Sequence, residues 1–177
     1  MKNKATTIRW PEAESYRDLY KTAAATPDEV AYEYKKQRVT YKELVKNVNR
    51  LAEGLGRTGL QKGDRIIVSL PDIPQAIECH YAMEKEGLHE YNLQPGVKAA
   101  AVAVIADEIN CKAIVTVDAN YEELARAIAG LDYPVQIILA DIKVPKLKVK
   151  KSLFRKIKRR KYASDEHITP WSELIRK

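Results

Sequence analysis

The chain has 177 residues, 45% of them hydrophobic and 31% charged, with a formal net charge of +7. That balance describes one soluble domain with room for a hydrophobic core. It leaves out a membrane-spanning chain, since no apolar run approaches the roughly 20 residues a bilayer-crossing helix needs, and a disulfide scaffold, since Cys79 and Cys111 lie far apart with no CxxC or His/Cys cluster.

The N-terminal stretch MKNKATTIRWPEAES has no apolar signal core. The expectation is a reducing, cytoplasmic setting with two buried free thiols and no metal. Apolar positions at Tyr16, Leu19, Tyr20 and Ala23 predict a helix ending near Ala25, before Pro27. VAYEYKKQRVTY reads as a short N-terminal β-hairpin. Thr40 and Glu43 form a capping box, and Tyr41, Leu44, Val45, Val48, Leu51, Ala52 and Leu55 make the stripe of an amphipathic helix, Tyr41–Leu55. RIIVSL is a buried strand. Pro74 opens a helix carrying Ile77, Tyr81 and Met83, and Gly87 ends it. LHEYNL is a weak strand, Val97–Ile109 a helix and KAIVTV a second buried strand. Asp118–Gly130 is a short helix on Tyr121, Leu124, Ala125 and Ile128, and VQIILA is a third buried strand. Thr169 and Pro170 look like the cap and first turn of a last helix through Trp171, Leu174 and Ile175. Buried strands joined by helical crossovers predict an α/β fold of three layers, a mostly parallel sheet with helices on both faces. The chain divides into a core over 1–142, a basic segment over 143–163 and a C-terminal short helix over 164–177, all one domain.

Gly54, Gly56 and Gly59 have the dinucleotide-binding spacing G-x-G-x-x-G. A phosphate cradle must leave a strand and open a helix, where free N–H groups and the dipole hold the anion. Here the glycines close a helix and precede a strand, so carbonyls and partial negative charge would meet the phosphate. The reading is a helix end, with Gly56 or Gly59 in the left-handed cap and Gly63 in the turn before the strand.

The order of these signals resembles a known family. Pro27-Asp28 with Ala31, Thr40-Tyr41 with Glu43-Leu44, Asn49 with Leu51-Ala52 and Leu55, Gly59 with Lys62-Gly63-Asp64-Arg65, Leu70-Pro71 with Pro74, and Tyr81-Ala82 with Lys85 and Gly87 are similar to the amino-terminal region of adenylate-forming enzymes, the AMP-binding acyl-CoA synthetases. The resemblance continues more weakly through KAIVTVDANYEEL and PWSELI. It implies a parent that activates a carboxylic acid with Mg-ATP and passes the acyl group to coenzyme A. It also implies a Ser/Thr/Gly-rich phosphate loop, an adenine site and a catalytic lysine further along, none of which is found in these residues. The expectation is therefore an amino-terminal subdomain with no catalytic residue and no cofactor of its own, inactive alone, whose partner is the remainder of the ligase. Two stretches depart from the family pattern: Leu88–Pro95, where an apolar strand ending in Asn-Pro is usual, and the Ala/Val-rich VKAAAVAVIADEI. They lead to the expectation of a fragment adapted, by engineering or by divergence, to stand alone.

Leu70, Pro71 and Asp72 follow the first buried strand. As the carboxyl end of a central parallel strand, they are the candidate ligand-proximal loop; an ordinary strand-to-helix connection is the plainer reading. His80, His89 and His167 are scattered, and Glu84/Glu86 and Asp107/Glu108 read as solvated faces rather than acid–base pairs. Lys143–Lys161, KVPKLKVKKSLFRKIKRRK, holds eleven basic residues and no acidic one, which leaves 20 basic against 24 acidic elsewhere. Its candidate basic surface is Lys150, Lys151, Arg155, Lys156, Lys158, Arg159, Arg160 and Lys161. A solvated basic face is the first reading. Weak contact with an anionic membrane or non-specific contact with nucleic acid are the alternatives, and specific nucleic-acid recognition is not expected because Phe154 is the one aromatic residue in the run.

Overall fold

A computed structural model describes residues 15–117, 121–140 and 168–176. The first helical stripe forms α1 (Ser15–Ala25), followed by the antiparallel hairpin β1 (Val30–Tyr34) and β2 (Gln37–Thr40). The Thr40 hydroxyl accepts the Glu43 N–H at 3.3 Å and the Glu43 carboxylate accepts the Thr40 N–H at 2.9 Å. This reciprocal cap starts α2 (Tyr41–Arg57), whose buried side is Leu44, Val48, Leu51, Ala52, Gly54 and Leu55. The chain continues through β3 (Arg65–Ser69), α3 (Pro74–Glu86), β4 (His89–Asn92), α4 (Ala99–Glu108), β5 (Ala113–Val117), α5 (Tyr121–Ile128), β6 (Gln136–Ala140), β7 (Ile168–Pro170) and α6 (Trp171–Leu174).

Five strands pair in parallel in the order β4-β3-β5-β6-β7. Successive side chains along a strand point to opposite faces, and helices cover both, so the central strands read as unbroken apolar runs. On one face Ile66, Val68, Ala113, Val115 and Ile138 pack under α1, α2, α3 and α6, with Leu19, Leu51, Leu55, Met83 and Leu174 in the same core. On the other, Ile67, Ile114, Ile137 and Leu139 pack under α4 and α5, with Val102, Ala103, Ala106, Leu124 and Ile128.

Three expectations need correction. The helix expected over Tyr41–Leu55 runs on to Arg57, and Gly54 and Gly56 lie inside it. Of the two glycines expected at the cap, Gly59 takes the left-handed conformation, and Gly63 turns the chain before β3 as expected, with φ of 85° and 92°. In α3 the buried side is Glu78, Cys79, Ala82 and Met83, while Ile77 is 37% exposed. Glu78 is drawn inward because its carboxylate accepts from Asn47 Nδ2 on α2 at 2.9 Å, and this turns the Ile77 side outward. Thr169 does not cap a helix. It belongs to β7, paired with Ile138, and its hydroxyl accepts from Gln136 Nε2 at 2.8 Å. Pro170 is the N-cap residue of α6, and no side chain caps that end.

Candidate functional site

From β3 the chain crosses by α3 to β4 on one side, and from β4 it returns by α4 to β5 on the other. The strand order therefore reverses between β3 and β5. In open parallel sheets the crevice outside the carboxyl ends at such a reversal is where ligands bind. Here it holds a crevice of about 160 Å³. Ser69 ends β3 and Thr116 lies opposite it on β5. The two residues are 7% and 2% exposed, and neither hydroxyl has a partner among the described residues. Both residues line the crevice. Lys98, Ala99 and Glu123 also line it. Lys98 is the N-cap residue of α4 and makes no side-chain cap bond; its carbonyl accepts the Ala101 and Val102 N–H groups, and the Ala99 and Ala100 N–H groups are left uncapped at the helix start. The arrangement of two hydroxyls, uncapped helical N–H groups and a lysine can hold an anionic or strongly polar group.

The predicted loop sits beside this crevice without lining it. Leu70 is buried in the core beneath α2 and α3, Pro71 is half-buried and Asp72 is exposed. The Ile73 N–H bonds to the Pro71 carbonyl at 2.7 Å, turning the chain into α3. The residues that line the crevice are instead Ser69, just before the loop on β3, and Thr116 on the neighbouring β5. Their signal was a Ser and a Thr near the carboxyl ends of otherwise apolar runs.

The glycine triplet belongs to packing. A Cβ on Gly54 would lie 2.3 Å from the Leu174 carbonyl oxygen, so only glycine admits α6 this close. Arg57 Nη2 adds a hydrogen bond to the same carbonyl at 2.7 Å.

The topology joins one group that sequence spacing kept apart. His80 Nδ1 lies 2.8 Å from Glu90 Oε2, and His80 Nε2 lies 3.4 Å from Ser15 Oγ. This serine–histidine–carboxylate chain is not an activated nucleophile. The Ser15 hydroxyl donates to Glu84 rather than to His80. The hydrogen bond to Glu90, reinforced by the charges of Glu90 and Glu84 and opposed by burial, raises the His80 pKa above its ordinary value. His89, Asp107 and Glu108 are exposed. Burial pushes both thiols up, Cys79 strongly, which keeps them protonated and unreactive. Among the described residues no group of three His, Cys, Asp or Glu could hold a metal ion, and no helix is long and apolar enough to cross a membrane. His167 and the basic surface from Lys150 to Lys161 lie outside the described residues.

Acetyl-coenzyme A synthetase of Methanothrix soehngenii is 36% identical over 85 residues, 48% of this chain and 13% of that protein. The enzyme of the same name from Streptomyces avermitilis is 35% identical over 83 residues, again 13% of its length. Among solved structures, coronafacic acid ligase from Pectobacterium brasiliense has the same fold, with a TM-score of 0.74 at 19% identity over 91% of this chain and 29% of that one. The chain thus spans about an eighth of the length of the synthetases it matches. The AMP-binding enzyme family matches residues 19–170. That match begins inside α1 and ends with β7, so it takes in the whole sheet, and the chain belongs to the AMP-binding enzyme family.

Proposed function

We propose that this chain is the amino-terminal part of an ATP-dependent acid–thiol ligase of the acyl-CoA synthetase kind and that alone it is a scaffold without turnover. The supporting observation is a family match across the entire sheet in a chain that spans 13% of its synthetase relatives. Forming an acyl-adenylate requires donors fixed around the triphosphate and the developing charge. The 177 residues contain no Ser/Thr/Gly-rich loop followed by Pro-Lys.

ATP, magnesium and coenzyme A are what a full-length relative would use, and the residues here do not fit Mg-ATP. The crevice measures about 160 Å³, below the roughly 300–1,000 Å³ of ordinary small-molecule pockets. Among the described residues its lining offers one carboxylate, Glu123, and one lysine, Lys98, too few to clamp a metal–triphosphate. The crevice is instead the side of the scaffold that faces the remainder of the ligase, its partner in this reading. Calorimetry with Mg-ATP tests the point. The expected result is no binding heat at millimolar nucleotide, and a saturable isotherm overturns the proposal.

A second reading rests on the run of eleven basic residues without an acidic one. In it the chain is a binding module for anionic membrane. Co-sedimentation with phosphatidylserine vesicles that is lost in high salt would support it.

A further inference from the structure

The bonds at the amino end of α1 have a direction. Ser15 Oγ donates to Glu84 Oε2, which also accepts the Tyr16 N–H at 3.1 Å. With the Ser15 proton committed to Glu84, the lone pairs of Ser15 Oγ face His80 Nε2, and that contact is attractive only when Nε2 carries a hydrogen. Nδ1 must carry one as well, because the Glu90 carboxylate can only accept. All the links from Glu90 through His80 and Ser15 to Glu84 are therefore satisfied by the doubly protonated ring alone. Loss of one proton leaves two choices. Either Nε2 meets the hydroxyl lone pair to lone pair, or the hydroxyl turns to donate to Nε2 and leaves Glu84 Oε2 with the Tyr16 N–H only. The other oxygen of Glu84, Oε1, is buried with no hydrogen-bond partner among the described residues, so the second choice strips a buried carboxylate further.

We propose that Glu90, His80, Ser15 and Glu84 form a proton-operated tie that fastens the amino end of α1 to α3 and to the edge strand β4, closed when His80 is doubly protonated and opened at α1 when it is not. The helix is suited to such control. Leu19 is its one buried residue, and its other anchors include polar ones: Tyr20 Oη bonds to Asn49, and Lys85 Nζ sits 5.8 Å from the centre of the Tyr20 ring. Among the described residues, those that face His80 include Glu90 from β4, Ser15 from α1, and Glu84 and Tyr81 from α3, with the Tyr81 ring centre at 5.5 Å. Two carboxylates outweigh burial, and the histidine pKa rises above its ordinary 6.5. A histidine raised in the folded state stabilises fully below 6.5 and loses that contribution as pH climbs through the folded value. The tie is thus closed in mild acid and released toward alkaline pH.

The Tyr16 amide, which donates to Glu84, is the direct probe. In the full chain, its hydrogen-exchange protection, corrected for intrinsic pH dependence, is expected to fall about fivefold as the His80 ring titrates, the loss of one net hydrogen bond. The ring titration itself is followed by NMR. His80→Gln should leave that amide flat across the same range. Ser15→Ala, which leaves His80 and Glu90 in place, should show low protection on both sides of a titration that still occurs, and it carries the test if His80→Gln fails to fold. Equal protection on both sides of the wild-type titration, a step that survives His80→Gln, or full protection in Ser15→Ala overturns the proposal.

Discussion

The face of the sheet under α1, α2, α3 and α6 is filled by long side chains, Leu51, Leu55 and Met83 among them, each at most 1% exposed. On the other face α4 contributes only small side chains, Ala99, Val102, Ala103 and Ala106, over the strand residues Ile67 and Ile114. On the first face every inward position of α2 is apolar and most outward positions are polar, so the sequence specifies which side goes in. On the second, α4 is apolar nearly all round, Val104 stands 67% exposed, and the strand ends beside the helix bring two hydroxyls to the crevice. One face is committed to folding. The other leaves an open crevice at the strand reversal and apolar surface outside it, as expected of a face that the rest of a ligase would cover.

Four experiments would sharpen or break this contrast. Leu51→Ala removes a fully buried side chain from the long-chain face and should cost about 3 kcal/mol in urea unfolding; a loss under about 1 kcal/mol would mean that the layer is loosely packed. Gly54→Ala should cost about 2 kcal/mol, because its methyl group meets the Leu174 backbone. Two turn-mates behave oppositely here: Gly56 has nothing within 4 Å of a built Cβ, so Gly56→Ala should stabilise by about 0.5–1 kcal/mol through helix propensity. Equal effects at the two glycines would dissolve the α2–α6 contact as their explanation. The histidine tie should add a smaller, pH-dependent step of about 1 kcal/mol, present in mild acid and gone in alkali, visible in thermal melts of wild type against His80→Gln. Val104→Lys on the small-residue face should stay within about 0.5 kcal/mol; a large loss would show that this surface is already covered.

How far the sequence could be read followed the same division. The α2 stripe, the Thr40–Glu43 cap, Pro74 at the start of α3 and Gly87 at its end were legible because each is a local signal between neighbours in the chain. The parallel sheet was legible because its central strands are buried on both faces. The face of α3 was not, because Asn47 and Glu78 set it across two helices. Thr169 misled because a Thr-Pro pair before an apolar turn looks like a cap, and only pairing with β6 makes it a strand. Gly54 was read as part of a helix end, since nothing local announces that Leu174, far along the chain, will press against it. Ser69, Thr116 and the histidine tie were invisible for the same reason: each exists only once the strands and helices have been brought side by side.

ATP–pyrophosphate exchange with a panel of carboxylic acids addresses the scaffold reading most directly. Labelled pyrophosphate should enter ATP no faster with the chain than without it, for every acid. Exchange that depends on both the chain and a particular acid would place adenylate-forming chemistry in these residues and contradict the account.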